Sequence, residues 1–190
     1  MPPAIPPATP SSDVILIERL ARILQNDAHV GGLKPTQWEA LRYLARANRF
    51  SRGPSALTAY LGMTKGTVSQ TLNALERKLL IKKTPSGEDK RVVDLEVTPA
   101  GIALLKQDPF VAFEKALSGI SKSDRGVLKR ALEGIVLQML TARDGKPFGV
   151  CKTCQYFQRN AKDGGPHLCR LLIEPLSEID SEKICVEQEA

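Results

Sequence analysis

The sequence predicts a mainly α-helical chain with one small β-hairpin. Three observations carry that prediction. Apolar residues recur at helical spacing in long stretches near both ends of the first 143 residues. A central helix carries aliphatic residues on one side and mostly small polar residues on the other. Directly after it, two short runs flank a turn-type tetrapeptide. In order these are helix, short helix, polar-faced helix and hairpin, which is the plan of a winged helix-turn-helix.

From Asp13, Leu16, Ile17, Leu20 and Leu24 follow a helical repeat that Val14, Ile15 and Ile23 widen. Ser12 or Asp13 can cap the start by accepting backbone N–H bonds. The stretch is too apolar for a lone surface helix and should pack on a partner helix. A second helix is predicted over Lys34 to Phe50, with Pro35 in its first turn, where a missing N–H costs nothing. Trp38, Leu41, Tyr43, Leu44 and Ala45 give its buried side. A basic, glycine-containing break follows from Arg49 to Gly53.

Ser55 to Met63 reads as a short helix ending at Gly62. Thr64 is a natural cap for the next helix. There Val68, Leu72, Leu75 and Leu79 form one stripe, and Lys65, Gly66, Thr67, Ser69, Gln70 and Asn73 the opposite face. IKKTP and RVVDLEV flank Ser86-Gly87-Glu88-Asp89, and Val93, Leu95 and Val97 alternate with Asp94 and Glu96, as in a half-buried hairpin. Thr98 caps and Pro99 opens a further helix that Asp108-Pro109 should break or kink. In the last long helix Leu128, Leu132, Ile135 and Met139 form a stripe widened by Val127, Ala131 and Val136. It suits packing between subunits as readily as an internal core. The expected organisation is a disordered proline-rich arm at 1–12, a main domain at 13–145 and a cysteine-bearing segment at 146–190.

Composition narrows the function. Hydrophobic residues make up 42% of 190 residues, enough for a core, and the net charge of +6 favours an anionic partner. From Lys34 to Lys106 thirteen basic residues stand against six acidic ones, whereas from Cys151 onward five stand against seven. Positive charge thus concentrates where double-stranded DNA would lie. Aromatics at 5% argue against a stacking surface for single strands. No apolar run approaches the roughly 18 residues of a membrane span. The N-terminus lacks the features of a signal peptide, so a cytoplasmic, reducing location is expected.

The segments LKPTQWEALRYL, TKGTVSQTLNALERKLLI and SGEDKRVVDLEVTPAG resemble the multiple-antibiotic-resistance regulator (MarR) family over about Asp13 to Arg143. The wing tip Asp89-Lys90-Arg91 followed by LEVTPAG is the most diagnostic piece. The resemblance implies a homodimeric transcription regulator whose N- and C-terminal helices interlock and whose two winged heads bind a pseudo-palindrome, as a repressor. It places Thr64, Lys65, Gly66, Thr67, Ser69, Gln70 and Asn73 at the major groove. Arg91 would enter the minor groove, with Asp89 orienting it; how Lys90 and Arg91 divide that work stays open. A small-molecule effector is a further implication, with Trp38 and Tyr43 as candidate lining, although a lone Trp in such a helix is more often core.

The first 150 residues contain no cysteine; the last 40 contain all four, Cys151, Cys154, Cys169 and Cys185. Four thiolates in one short segment suit structural zinc, with His167 as a substitute ligand, and suit an iron–sulfur cluster as well. A dithiol switch at Cys151 and Cys154, and four unrelated thiols, are the other readings. Zinc is preferred because it accepts mixed nitrogen and sulfur ligands. Tyr156 and Phe157 are placed to shield such a site. A metal- or redox-sensing regulator with this segment as its input is the alternative to a plain DNA-binding regulator. No enzyme is expected: no βαβ pattern surrounds the C-x-x-C pair, and His29, at a helix end, reads as a solvated side chain.

Overall fold

The computed structural model describes residues 10–27, 30–85, 93–161 and 166–189. The first nine residues of the proline-rich arm, His29 and the wing tip Asp89, Lys90 and Arg91 lie outside these. The helices are α1 (Ser12–Asp27), α2 (Pro35–Arg46), α3 (Pro54–Leu61), α4 (Lys65–Arg77), α5 (Pro99–Leu105), α6 (Phe110–Ser118), α7 (Lys122–Thr141) and α8 (Glu178–Ser181). The wing is the antiparallel pair β1 (Ile81–Pro85) and β2 (Val93–Val97), with Lys83 opposite Leu95. The C-terminal segment adds five short strands, β3 (Gly149–Val150), β4 (Phe157–Gln158), β5 (His167–Cys169), β6 (Glu174–Leu176) and β7 (Ile184–Cys185). β3 pairs with β7, while β4, β5 and β6 form a small antiparallel sheet.

One core holds the winged head together. Trp38, Ala40, Leu41 and Leu44 of α2 meet Leu57 of α3, Val68, Leu72 and Leu75 of α4, and Ile81 and Leu95 of the wing. Each large side chain so buried contributes about 1.5–3 kcal/mol. The turn between α3 and α4 follows from chemistry the sequence displays. Gly62 takes the left-handed conformation that ends α3 (φ 60°). Two residues later the Thr64 hydroxyl accepts the Thr67 N–H at 3.2 Å to start α4.

The Asp108-Pro109 break is where the sequence puts it, between α5 and α6. Asp108 turns back to the head and receives Arg42 through both oxygens, at 2.6 and 3.0 Å. It also accepts the Phe110 N–H at 2.8 Å. Arg42 lies over the Phe110 ring, 3.6 Å from its centroid. Few apolar side chains of α1, α6 and α7 find cover in the single chain. Leu16, Ile17, Leu20, Val127, Leu132, Ile135, Val136 and Met139 are all exposed. No described helix is long and apolar enough to cross a membrane.

Two expectations need correction. Leu79 does not continue the α4 stripe. The helix stops at Arg77, and Leu79 is left-handed (φ 59°) and 73% exposed. The Leu80 N–H reaches back to the Leu75 carbonyl at 3.0 Å, the six-to-one bond of a Schellman end, so Leu80 is buried in its place. Helix α2 ends at Arg46 rather than Phe50, because Ala47 is extended and pairs with Ile184. The cysteine-bearing segment makes buried contacts with the head and within itself. Ile184 enters the core of the head, and Cys151, Leu176 and Cys185 form a second, smaller cluster with Phe50, Phe157 and Cys169 around it.

Gly101, inside the LEVTPAG run, lies against the Leu80 carbonyl. A Cβ there would stand 2.3 Å from that oxygen. Gly101→Ala is therefore expected to destabilise the chain by about 1–3 kcal/mol through backbone displacement, read as a lower urea midpoint at unchanged slope. Ile184→Ala should cost about 2–5 kcal/mol, the signature of a C-terminal segment that shares the core of the head. A segment that merely hangs from α7 would leave the unfolding of the head unchanged.

Candidate functional site

Two places carry chemistry: the outer face of α4 with the wing, and the cysteine cluster behind the turn between α2 and α3. Thr64, Lys65, Gly66, Thr67, Ser69, Gln70 and Asn73 are all exposed, while Val68, Thr71, Leu72 and Leu75 of the same helix are buried. The surface so presented is small, polar and positively charged at its N-terminal end, which suits the edges of bases and phosphates. Its far end is tied to the wing. Lys83 of β1 donates to Asn73 Oδ1 at 2.5 Å and pairs with Glu76 at 2.8 Å. A polar groove of about 740 Å³ runs beside α4, lined by Lys34 and Thr36 at the start of α2 and by Gln70, Asn73 and Arg77.

Not all of the basic residues counted in the head serve that face. Arg42 is held by Asp108. Arg49 reaches into the C-terminal segment, to Asp180 at 3.1 Å, to Glu174 at 3.3 Å and to the Pro175 carbonyl at 2.6 Å. Arg52 pairs with Asp94 at 3.3 Å on the wing, and its carbonyl accepts the Leu95 N–H at 3.0 Å. Lys65 and Lys82 remain exposed on α4 and β1.

Residues 47–52 bind the C-terminal segment to the head. Asn48 and Ser51 are fully buried, so their polar atoms need protein partners. The Asn48 N–H donates to the Ile184 carbonyl at 2.9 Å, and its side-chain amide donates to Cys151 Sγ at 3.3 Å. Ser51 Oγ accepts the Val186 N–H at 2.9 Å, and the Ser51 carbonyl accepts the Tyr43 hydroxyl at 2.7 Å. Sequence reasoning placed Asn48 in the second helix and read Arg49 to Gly53 as a basic, glycine-containing break. A signal was present in Asn48 and Ser51, whose short polar side chains between two apolar helices suit a buried, hydrogen-bonded turn.

The four cysteines all line one cavity of about 10 Å³, walled by Tyr156, Phe157, Leu171, Leu176 and Glu187. Cys151 and Cys185 are buried, Cys154 and Cys169 partly so, and none is in a disulfide. The Cys154 N–H donates to the Cys151 carbonyl at 3.0 Å, which folds the C-x-x-C pair into a single 3-10 turn. The hydrogen bond from the Cys151 thiol, with others from Asn48, the Glu187 N–H and Ser51, holds the Cys185 thiol below its ordinary range against the opposing effect of burial. Cys151, as donor in that bond and by burial, is pushed up. Among the described residues no group of three or more His, Cys, Asp or Glu side chains is gathered closely enough to hold a metal ion as it stands.

His167 is not placed as a substitute ligand. Its Nδ1 accepts the Asn160 N–H at 3.1 Å, which leaves Nε2 to donate to Glu178 at 2.7 Å. Both ring nitrogens are thus engaged, and the ring packs edge-on to Phe157 with centroids 4.9 Å apart. Tyr156 and Phe157 do line the thiol cavity. Of the two aromatic residues considered for an effector site, Trp38 is fully buried in the head. Tyr43 borders a cavity of about 350 Å³ with Leu24, Arg42, Tyr60 and Phe110. A larger apolar cavity of about 860 Å³ lies between α7 and the head, with Tyr60, Leu132, Val136 and Phe148 among its lining.

Comparison with known proteins bears on the head. The family model described as MarR family matches residues 31–92, a match that ends well before Cys151. That family is made up of transcription regulators, not enzymes. No curated protein matches the chain. Among solved structures, MepR of S. aureus in a MepR–DNA complex is 23% identical with a TM-score of 0.57, covering 68% of this chain and 99% of that one. FabT of Streptococcus pneumoniae in complex with DNA is 24% identical with a TM-score of 0.55, covering 68% and 96%. A MarR transcriptional regulator from Methanosarcina mazei Go1 is 19% identical with a TM-score of 0.56, covering 68% and 95%. At these identities the likeness establishes the fold. Residues 31–92 match the MarR family model, and the chain shares the winged helix-turn-helix fold of these solved structures.

Proposed function

We propose that this chain is a transcription regulator that binds double-stranded DNA as a homodimer and represses from a pseudo-palindromic operator. The observation that carries the reading is the outer face of α4. Seven residues of that face, from Thr64 to Asn73, are exposed and polar or small, on a helix whose other side is locked into the core. Such a helix enters a major groove without a cost in buried polar groups, and its amides and hydroxyls match base edges. In this reading Arg91 enters the minor groove with Asp89 orienting it, and Lys90 adds to the positive charge of the wing tip. MepR and FabT, whose structures in complex with DNA resemble this one, support it by likeness of fold. DNA as the partner makes the cytoplasm the working compartment.

The homodimer is supported by what the single chain leaves uncovered. The apolar residues of α1, α6 and α7 form faces too large for a monomer in water. Two heads held by these helices would present two α4 helices to half-sites about one helical turn apart, roughly 34–36 Å. A ligand that rotates the heads would spoil that register. The apolar cavity between α7 and the head is where a small effector would act.

Selection of a binding site from randomised duplexes, followed by titration at fixed salt, tests the reading. Gln70→Ala should weaken the selected site by about 1–3 kcal/mol and relax base preference, whereas Lys65→Ala should weaken all duplexes alike and reduce the salt slope by about one. Arg91→Ala should weaken operator binding as well. Retention of wild-type affinity and base preference by Gln70→Ala would remove α4 from its assigned role. Separately, Val136→Glu is expected to raise the dimer dissociation constant at least about tenfold in sedimentation. A wild-type chain that stays monomeric at concentrations that saturate DNA would exclude the dimer.

A further inference from the structure

We propose that Cys151, Cys154, Cys169 and Cys185 form a single tetrathiolate zinc site that fastens the C-terminal segment onto the turn between α2 and α3. The four thiols come from different places: the 3-10 turn after β3, the end of β5 and the end of β7. They nevertheless line one cavity, and they are all the cysteines of the chain. The C-x-x-C turn is the geometry that aims two thiolates at one ion, and the two strand cysteines complete a tetrahedron.

The size of the cavity favours a single ion. At about 10 Å³ it has the room of one small atom or water. A cluster of two or four irons with its sulfides is several-fold larger. Four soft thiolates around one ion favour zinc, which has no preferred d-electron geometry and binds sulfur at about 2.3 Å. The walls are suitable too. Phe157, Leu171 and Leu176 keep bulk water away. The Asn48 side-chain amide donates to Cys151 Sγ, and Ser51 lies one hydrogen bond from β7. N–H donors of this kind stabilise thiolates bound to a metal.

Binding is written as a proton exchange. One Zn²⁺ and four thiols give a four-thiolate complex of charge −2 and release four protons to solvent, with no oxidation or reduction. The four thiols line one cavity, and ion binding draws them onto one centre. The segment needs such a closure, because its own core is little more than Cys151, Cys185 and Leu176 with a few partly covered neighbours. Its consequence for the head runs through residues 48–52. Asn48 touches the thiol cluster, Ser51 receives β7, and Arg52 carries the Leu95 N–H and Asp94 of the wing. Zinc is thus placed to stiffen the wing. That last effect rests on the DNA-binding reading, whereas the site itself does not.

The full-length chain, purified with reductant and stripped by a chelator, is titrated with Zn²⁺ alone. The expected result is uptake of about one zinc per chain and a rise in thermal midpoint of roughly 5–10 °C. Cobalt substitution should give the intense visible bands of a tetrahedral thiolate site. Cys169→Ser should lose stoichiometric uptake, and Arg49→Ala, which leaves every ligand in place, should keep it. If Cys169→Ser fails to fold, the stripped and reloaded wild-type chain still decides. No uptake by the reduced wild-type chain overturns the proposal. So does a brown protein containing sulfide, and so does a Cys151–Cys185 disulfide formed without metal and giving the same gain in midpoint. Zinc content and midpoint are read without DNA. Normal uptake with no operator binding would therefore refute the DNA-binding reading and leave the site standing.

Discussion

The rest of the structure depends on how Asn48 and Ser51 are satisfied. Both lie fully buried in the turn between α2 and α3. An unpaired buried donor or acceptor costs about 1–3 kcal/mol. The partners come from far along the chain: the Ile184 carbonyl, the Val186 N–H and Cys151 Sγ. Without the C-terminal segment, the turn that aims α3 and α4 would have to open to water or rearrange. The segment is therefore part of the head in the physical sense. It fills the core with Ile184, satisfies the turn and holds Arg49 at three points.

The same turn changes how the positive charge is understood. Counted along the sequence, the head is strongly basic. In space, three of its arginines serve internal structure. Arg42 binds Asp108, Arg49 binds Asp180 and Glu174, and Arg52 binds Asp94. Planar guanidinium groups suit such bidentate and multi-point roles better than lysine. The chain thus uses arginine to join its parts, and lysines such as Lys65 and Lys82 remain at the surface where an anion would lie.

What the sequence displayed and what it hid follow from the range of the interactions. The Thr64 cap, the Gly62 stop, the wing strands and the Asp108-Pro109 break depend on neighbours within a few residues, and each is where its local chemistry puts it. The outer face of α4 was legible for the same reason, since exposure on a helix follows from a repeat of about 3.6 residues. Leu79 misled because periodicity continued past the point where backbone geometry ended the helix. The end of α2, the partners of Asn48 and the engagement of His167 depend on contacts up to 137 positions apart, or on a neighbouring strand and helix. No local pattern announces those. Cysteine spacing showed that four thiols could meet. Only the fold puts them around one cavity and shows His167 turned to Glu178.

The α5–α6 break then acquires a mechanical meaning. The winged head closes its own core, with Trp38, Leu57, Leu75 and Leu95 fully buried. Helices α6 and α7, by contrast, have no fully buried residue in the single chain. A strong link crosses from the head to the start of these helices, the two-oxygen grip of Asp108 on Arg42, backed by the stacking of Arg42 on Phe110. In the proposed dimer, two rigid heads joined by an apolar helical body would differ in spacing only by rotation at such a joint, because packed cores resist continuous deformation. The Arg42–Asp108 pair sits beside Tyr43 and Tyr60, which border the cavity between α1, α2 and α6. A change of packing in that cavity would act directly on the joint. The wing, through Arg52 and Ser51, answers to the thiol cluster on the other side of the head. The fold therefore offers two separate mechanical routes to α4 and the wing, one through the helical body and one through the C-terminal segment.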